Sequence, residues 1–187
     1  MPNSNDAKLA LLHHEVLVEL LTKEQSEGIG ARVRQSIGTL TMKHFTLFLV
    51  LDHFKLNPES GFPDHPDRGQ ETISYLFKGR ADHKDFTGLK CTLEPGDLQF
   101  MTAGRGIMNP EFPKIDQEKD GSITYVEGLQ LWVDLPAKLR TLGFQLLAQM
   151  KKSQSRLFLV NLMTLTLKDF AYIPLWMLDF VVLPGER

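Results

Sequence analysis

The chain has 187 residues, 42% of them hydrophobic, which is enough for one domain with a sizeable core but too few for two such domains. Its formal net charge of −2 provides no basic field for direct nucleic-acid binding, so we expect any action on genes to pass through other proteins. A single cysteine, Cys91, excludes an intrachain disulfide framework. No long apolar run or signal peptide is visible, so we expect an intracellular protein without membrane contact.

The first two thirds of the chain show the pattern of short strands. Residues 7–21 fit either a short helix or an extended strand, and residues 24–38 contain three glycines in a polar stretch unsuited to a stable helix. Short apolar runs then alternate with turn-forming segments, which predicts an all-β sandwich or barrel. These runs are residues 45–54, 72–77, 90–93, 98–102 and 123–135.

The composition changes after Pro136. Leucine and methionine recur at roughly helical spacing, which predicts a helix over about 137–152. The tail, residues 169–187, is typical of another strand that ends at a Pro-Gly turn.

The segment "GFPDHPDRGQET", residues 61–72, is the first candidate for chemistry. His65 and position 67 are two residues apart, so both can face one side of a strand, and Glu111 can contribute from a facing strand. Imidazole and carboxylate are ligands of non-haem iron. Asp67 can ligate a metal, whereas Asn109 offers only a neutral amide oxygen. The alternative is a surface turn in which His65 bonds to the backbone and Asp67 is solvated.

Four segments together resemble the pirin family: "EQSEGIGARVRQSIG", "GFPDHPDRGQETISYLFKG", "GDLQFMTAGRGI" and "GLQLWVDLPAK". The resemblance covers residues 22–138 and implies a cupin barrel, a jelly-roll-like double-stranded β-helix, as the first of two stacked barrels. Residues 139–168 match no segment of that family and are predicted to be a partly helical connector. Residues 169–187 resemble the opening strand of the second barrel, most of which is then missing.

The resemblance also implies an iron site made by three histidines and one glutamate. His65 matches the first histidine of a "DHPHRG" turn, and Glu111 matches the glutamate of an "HxEMP" segment. The other two ligand positions depart from the family, because Asp67 and Asn109 replace histidines. Both replacements alter the ligand set and its surroundings, so the sequence leaves iron occupancy open.

Two further residues could compensate for the altered ligands. Glu71 stands where many cupins place a glutamate ligand, and His83 matches a histidine that pirins commonly show beside the pocket. Either side chain would have to turn inward to bind the metal.

Three functions of different classes follow from the resemblance. Pirins act as transcriptional co-regulators in the nucleus and cytoplasm, with transcription factors or G-protein subunits as partners. They are also similar to iron-dependent quercetin 2,3-dioxygenases, which implies a flavonol-like ligand. The third hypothesis is a truncated copy that has lost its activity, and it is favoured by the altered positions 67 and 109.

Overall fold

The structure is a computed structural model that describes residues 18–84, 88, 90–108, 111–114, 124–141 and 145–150. These ranges form twelve β-strands and contain no helix, so none of their elements is a long apolar helix that could span a membrane. In chain order the strands are β1 (Glu24–Glu27), β2 (Ala31–Ile37), β3 (Phe48–Leu56), β4 (Pro66–Asp67), β5 (Gln70–Lys78), β6 (Arg80–Lys84), β7 (Lys90–Leu93), β8 (Leu98–Thr102), β9 (Ile107–Met108), β10 (Glu111–Lys114), β11 (Val126–Asp134) and β12 (Gln145–Met150).

The strands pair into three antiparallel sheets. Seven strands form the main sheet in the order β1-β2-β3-β11-β5-β8-β12, and the two smaller sheets have the orders β10-β6-β7 and β4-β9. Strands distant in sequence are therefore neighbours in space, as in a jelly roll. The predicted all-β fold is confirmed.

The main sheet contacts the smaller sheets through one of its faces. Phe54 of β3 and Leu76 of β5 belong to the same buried cluster as Leu93 of β7, with Ala81 of β6 packed against it. Successive side chains of a strand point to opposite faces, so the face that carries Phe54 and Leu76 lines the barrel interior. Val126 of β11 joins this cluster and is fully buried.

The edge of the main sheet at β1 is polar. All four residues of β1 are exposed, and Glu24 accepts a hydrogen bond from Arg32 Nε of β2 at 2.8 Å. Charged residues on an edge strand disfavour pairing with another chain. The charges on β1 therefore disfavour pairing with a second sheet, even though the backbone groups of this edge are accessible.

Several strand predictions are confirmed and two local ones are wrong. Strands β7 and β8 have the predicted bounds, 90–93 and 98–102. Residues 80–84, which the sequence suggested as part of a turn segment, instead form β6 between β7 and β10. Their polar side chains lack an apolar pattern, but pairing on both sides satisfies the backbone and makes the segment a strand.

The helix predicted over about 137–152 is also wrong within the described residues. Residues 137–141 form a turn, in which the Leu139 amide donates to the Pro136 carbonyl oxygen at 2.7 Å, and β12 follows at Gln145–Met150. Strand β12 pairs with the free edge of β8, which supplies hydrogen bonds that local leucine spacing cannot reveal. Residues 151–168 and the predicted strand over 169–187 lie outside the described residues, so the two domain assignments there stay predictions.

Candidate functional site

The loop between β3 and β5 carries the first two candidate ligands. Its strand β4 pairs with β9, so that Asp67 lies opposite Ile107, and the Gly69 amide donates to the Gly104 carbonyl oxygen at 2.9 Å. Gly69 has φ of 75°, a conformation that glycine adopts without strain. This turn leads from the loop into β5 and holds position 67 at the wall of the barrel.

The ring of His65 has a defined orientation. Its Nδ1 lies 2.9 Å from the carbonyl oxygen of Pro63, and a carbonyl oxygen can only accept, so Nδ1 carries the proton and donates. In a neutral imidazole Nε2 then keeps its lone pair, the state required of a metal ligand. Metal-binding histidines commonly donate their other N–H to a carbonyl oxygen in this way. The hydrogen bond to the backbone that was predicted for a turn histidine is present, and it leaves Nε2 available to bind a metal.

Asp67 is buried rather than solvated, since only 2% of its surface is exposed. Its Oδ1 accepts a hydrogen bond from Gln70 Nε2 at 2.9 Å, and its Oδ2 lies 4.0 Å from His65 Nε2. The structure thus brings together an imidazole lone pair and a carboxylate oxygen, too far apart for a direct hydrogen bond. Two donors at this separation can bind one metal ion, because metal–ligand bonds are about 2 Å long.

The next candidate position, 111, lies at the start of a strand of the small sheet. Glu111 begins β10 and is paired directly with His83 of β6 in antiparallel register. Directly opposed residues share a face of a sheet, so position 111 lies on the face of His83, which is 2% exposed and lines the interior pocket. The remaining position, Asn109, lies outside the described residues.

Glu71, suggested as a substitute ligand, lies on β5. It is opposite Thr102 in the β5–β8 register, and its Oε1 accepts a hydrogen bond from the Thr102 hydroxyl at 3.3 Å. Ser74 and Gln99 of the same two strands line the interior pocket, and Glu71 is on the alternate face. Glu71 is therefore separated by the sheet from the side on which His83 lies.

The candidate ligands are only partly assembled by the residues that the structure describes. Among these residues, no three His, Cys, Asp or Glu side chains lie close enough together to hold a metal ion. His65 and Asp67 form one pair, and Glu111 and His83 form a second pair by register. A complete site therefore requires the two pairs to contribute together.

A pocket opens between the main sheet and the small sheet. Its walls are mainly apolar, and the polar side chains in it come from β5, β6 and β8. Its volume of about 20 Å³ is enough for about one water molecule and is far smaller than a typical site for an organic ligand. The lining residues are Phe54, Leu56, Ser74, Leu76, Ala81, Asp82, His83, Leu93, Gln99 and Phe112.

Sequence reasoning missed a buried carboxyl group on the interior face of β3. Asp52 is 7% exposed and shares its face with Phe54, two residues away in the same strand. Burial, and secondarily the charge of Glu27, raises the pKa of Asp52 to about 7. The detectable signal was an acidic residue at an inward-facing position within the apolar run 45–54.

Residues 30–133, which are more than half of the chain, match the family model "Pirin". Human pirin is 49% identical over 122 residues, which cover 65% of this chain and 40% of human pirin. Pirin-like protein 2 of Arabidopsis thaliana is 36% identical over 181 residues, covering 92% of this chain and 54% of that protein.

A solved structure shows the same fold. Quercetin 2,3-dioxygenase from Acinetobacter baumannii superposes with a TM-score of 0.59 at 28% identity, covering 70% of this chain and 47% of the dioxygenase chain. The chain thus spans about half the length of the proteins that it matches. Cupin-type architecture is confirmed for the matched barrel.

Proposed function

Because the chain belongs to the pirin family, we propose that it is a metal-binding pirin domain whose iron is held by His65, Asp67 and Glu111. The observation that carries the proposal is the orientation of His65. Its Nδ1–H donates to the Pro63 carbonyl oxygen, which leaves the lone pair on Nε2, and Nε2 lies 4.0 Å from a carboxylate oxygen of the buried Asp67.

The chemistry of the donors fits a divalent iron. Non-haem iron sites with open positions use two histidines and one carboxylate, so one imidazole nitrogen and two carboxylates supply the same kinds of donor in a different ratio. Asp67 is buried, and a bound cation would stabilise the negative charge of its carboxylate. His83 lies opposite position 111 in the register and is the fourth candidate donor.

The proposed activity is the oxidation of a flavonol-like compound by quercetin 2,3-dioxygenase-type chemistry. Support comes from the 28% identical structural relative, a quercetin 2,3-dioxygenase, and from the apolar side chains around His83. When bound, iron supplies the redox chemistry with dioxygen. The chain itself contributes apolar side chains beside His83, among them Phe54 and Phe112.

A second candidate function is partner binding as a transcriptional co-regulator in the nucleus and cytoplasm. It is supported by the 49% identity to human pirin and by an aromatic group on the outer face of the main sheet. There the exposed Phe77 contacts His53 and Tyr75 edge-to-face, with ring centroids 6.1 and 5.5 Å away. Exposed aromatic side chains are common anchors of protein interfaces. Transcription factors or G-protein subunits are the proposed partners.

Metal analysis of protein purified from iron-supplemented cells tests the first proposal. We expect about one iron per chain, lost in His65→Gln and in Glu111→Gln because each removes a charged or lone-pair donor. The matched control for the histidine is His44→Gln, since His44 is an exposed loop residue outside the site. Asp64→Asn is the control for Asp67→Asn, because Asp64 is exposed in the same loop.

Two results would contradict the proposed metal site. One is a folded wild-type protein that carries no iron, manganese or nickel. The other is iron that remains after His65→Gln but disappears after His44→Gln, which would place the metal elsewhere. If the folded wild-type protein carries no metal, the second function is tested next. That test measures whether a candidate protein partner captures the wild-type chain and whether Phe77→Ala weakens the capture.

A further inference from the structure

Two lysine side chains flank the ring of Tyr125, the residue directly before β11. Lys55 of β3 places its Nζ 3.8 Å from the ring centroid, and Lys78 of β5 places its Nζ 4.3 Å from it. The two strands lie on opposite sides of β11, since Lys55 and Lys78 are both register partners of Glu127. The two ammonium groups therefore approach Tyr125 from two sides.

The backbone of the sheet positions both lysines beside this ring. Gly79 follows Lys78, has φ of 73°, and lies so close to Tyr125 that a Cβ atom at position 79 would be 2.5 Å from the Tyr125 carbonyl oxygen. Glycine adopts this conformation without strain and permits the close approach. On β3, Lys55 is exposed between two buried neighbours, so its side chain points to the outer face. The outer face of the sheet thus holds both cations next to the tyrosine.

The positive charges of these lysines are not compensated by an ion pair. Among the residues that the structure describes, neither ammonium group lies within ion-pair distance of a carboxylate. The two acidic residues nearby have other partners, because Glu127 lies 2.8 Å from His53 Nε2 and Glu24 lies 2.8 Å from Arg32 Nε. A ring face attracts a cation only weakly at an exposed site, and two like charges beside one ring repel each other. The arrangement therefore favours an added negative charge.

The hydroxyl of Tyr125 is the place where a negative group would meet both cations. Its oxygen extends from the ring that the two ammonium groups contact, and the residue is only half-buried. A phosphate ester carries a charge of about −1.5 to −2 at neutral pH and has three acceptor oxygens. A lysine ammonium has three donors and no acceptor. A phosphate on this hydroxyl would therefore match the two lysines in charge and in hydrogen bonding.

We propose that Tyr125 is a phosphorylation site at which Lys55 and Lys78 bind the phosphate group. In the transfer, Tyr125 Oη attacks the γ-phosphorus of ATP held by a protein tyrosine kinase. The new O–P bond forms as the bond from the γ-phosphorus to its bridging oxygen breaks, ADP leaves, and the phenolic proton passes to a base of the kinase. The site shares no residue with the candidate iron ligands and does not depend on the proposed metal.

The charged groups around the site determine how a bound phosphate would titrate. Among the described residues they are Lys55 on β3, Lys78 on β5, Glu127 on β11 and, on β2, Arg32, the register partner of Lys55. Three of the four are cations, and a nearby cation favours the more negative form of an acid. The second pKa of the phosphate should therefore be lower in the folded chain than in the unfolded chain.

Phosphorus-31 NMR of the full chain, with phosphotyrosine incorporated at position 125, tests the position of the phosphate. We expect its second pKa to be about 0.5–1 lower in the folded chain than in the same chain unfolded in urea. Lys55→Gln and Lys78→Gln should each reduce this difference, and Lys78→Arg, which keeps the charge, should retain it. The matched control is Lys90→Gln, since Lys90 is exposed on β7 of the small sheet.

Two results of the titration would overturn the proposal. One is the same phosphate pKa in the folded and the unfolded chain. The other is a lowered pKa that neither lysine variant changes, which would mean that other groups bind the phosphate.

The accessibility of the hydroxyl is tested with ATP and a purified tyrosine kinase domain, chosen for its activity on a tryptic digest of this chain. Cleavage after Lys119 frees the segment that contains Tyr125 in that digest. Mass spectrometry should find a phosphate at position 125 of the folded wild type and none there in Tyr125→Phe, which keeps the ring between the lysines. Modification of the digest but not of the folded chain would mean that the tyrosine serves packing alone, and the proposal would be wrong.

Discussion

The two levels of the barrel interior differ in what they contribute. At the level of Phe54 and Leu76 the side chains are apolar, buried and packed against Leu93 of the opposing sheet. One level away, Asp52 and Thr72 are equally buried but leave polar atoms unsatisfied. The first arrangement stabilises the barrel, and the second lowers its stability. The difference shows that burial alone does not identify a structural residue.

The largest expected effect is at the apolar level. Phe54→Ala should lower the free energy of unfolding by about 3–5 kcal/mol, because it removes a buried ring and leaves a cavity. Phe77→Ala is a matched control, since Phe77 is 45% exposed on the outer face, and its effect should be below about 1 kcal/mol. Urea unfolding measures both. Equal losses in the two variants would break the distinction between the interior and the outer face.

At the polar level, Asp52→Asn should stabilise the protein at high pH. The folded-state pKa of about 7 lies above the unfolded value of 3.8, so the folded chain retains a proton that the unfolded chain has released. Wild-type stability therefore falls as the pH rises between these values and stays low above about pH 7.

We expect Asp52→Asn to be more stable than wild type by about 1–3 kcal/mol near pH 8, with little difference near pH 4. Urea unfolding at both pH values checks this. The exposed Asp64→Asn is the control and should show no comparable dependence. If the stability of the wild type relative to Asp52→Asn rises between pH 4 and pH 8, the expected direction of the effect is wrong.

Restoration of the family's ligands tests whether the barrel wall still has the geometry of a metal site. Asp67→His combined with Asn109→His should raise iron affinity about tenfold or more, since imidazole is a better ligand than an amide oxygen for a first-row transition metal. Competition with a chromogenic chelator measures the change. Unchanged affinity in a folded double variant would mean that positions 67 and 109 do not face a common metal.

The smallest expected effect is at the exposed edge of the main sheet. Glu24→Gln removes the ion pair with Arg32 at 2.8 Å, and should change the free energy of unfolding far less than Phe54→Ala, because both side chains are about half exposed. The difference should disappear at high salt. A loss as large as that of Phe54→Ala would show that the edge strand β1 is as important to stability as the packed interior.

The sequence by itself determined the fold class, several strands and the family. Alternating apolar runs separated by turns predicted β7 and β8 with their observed bounds, because local pattern and turn chemistry decide where a strand begins and ends. The motif around His65 also predicted candidate ligands, and the structure places Asp67 of that motif in β4. Its role as a metal ligand stays a prediction, as do the roles of Asp67, Glu111 and the residues outside the described ranges.

Only the tertiary structure decided which residues meet. The leucine pattern over 145–150 fits a helix as well as a strand, and pairing with β8 selects the strand. Likewise, nothing local shows that Asp52, Gln130 and Ser74 form one row, since β3, β11 and β5 are neighbours in the sheet but distant in the chain. Register between distant strands arises from the packing of the whole barrel, so no short window of sequence contains it.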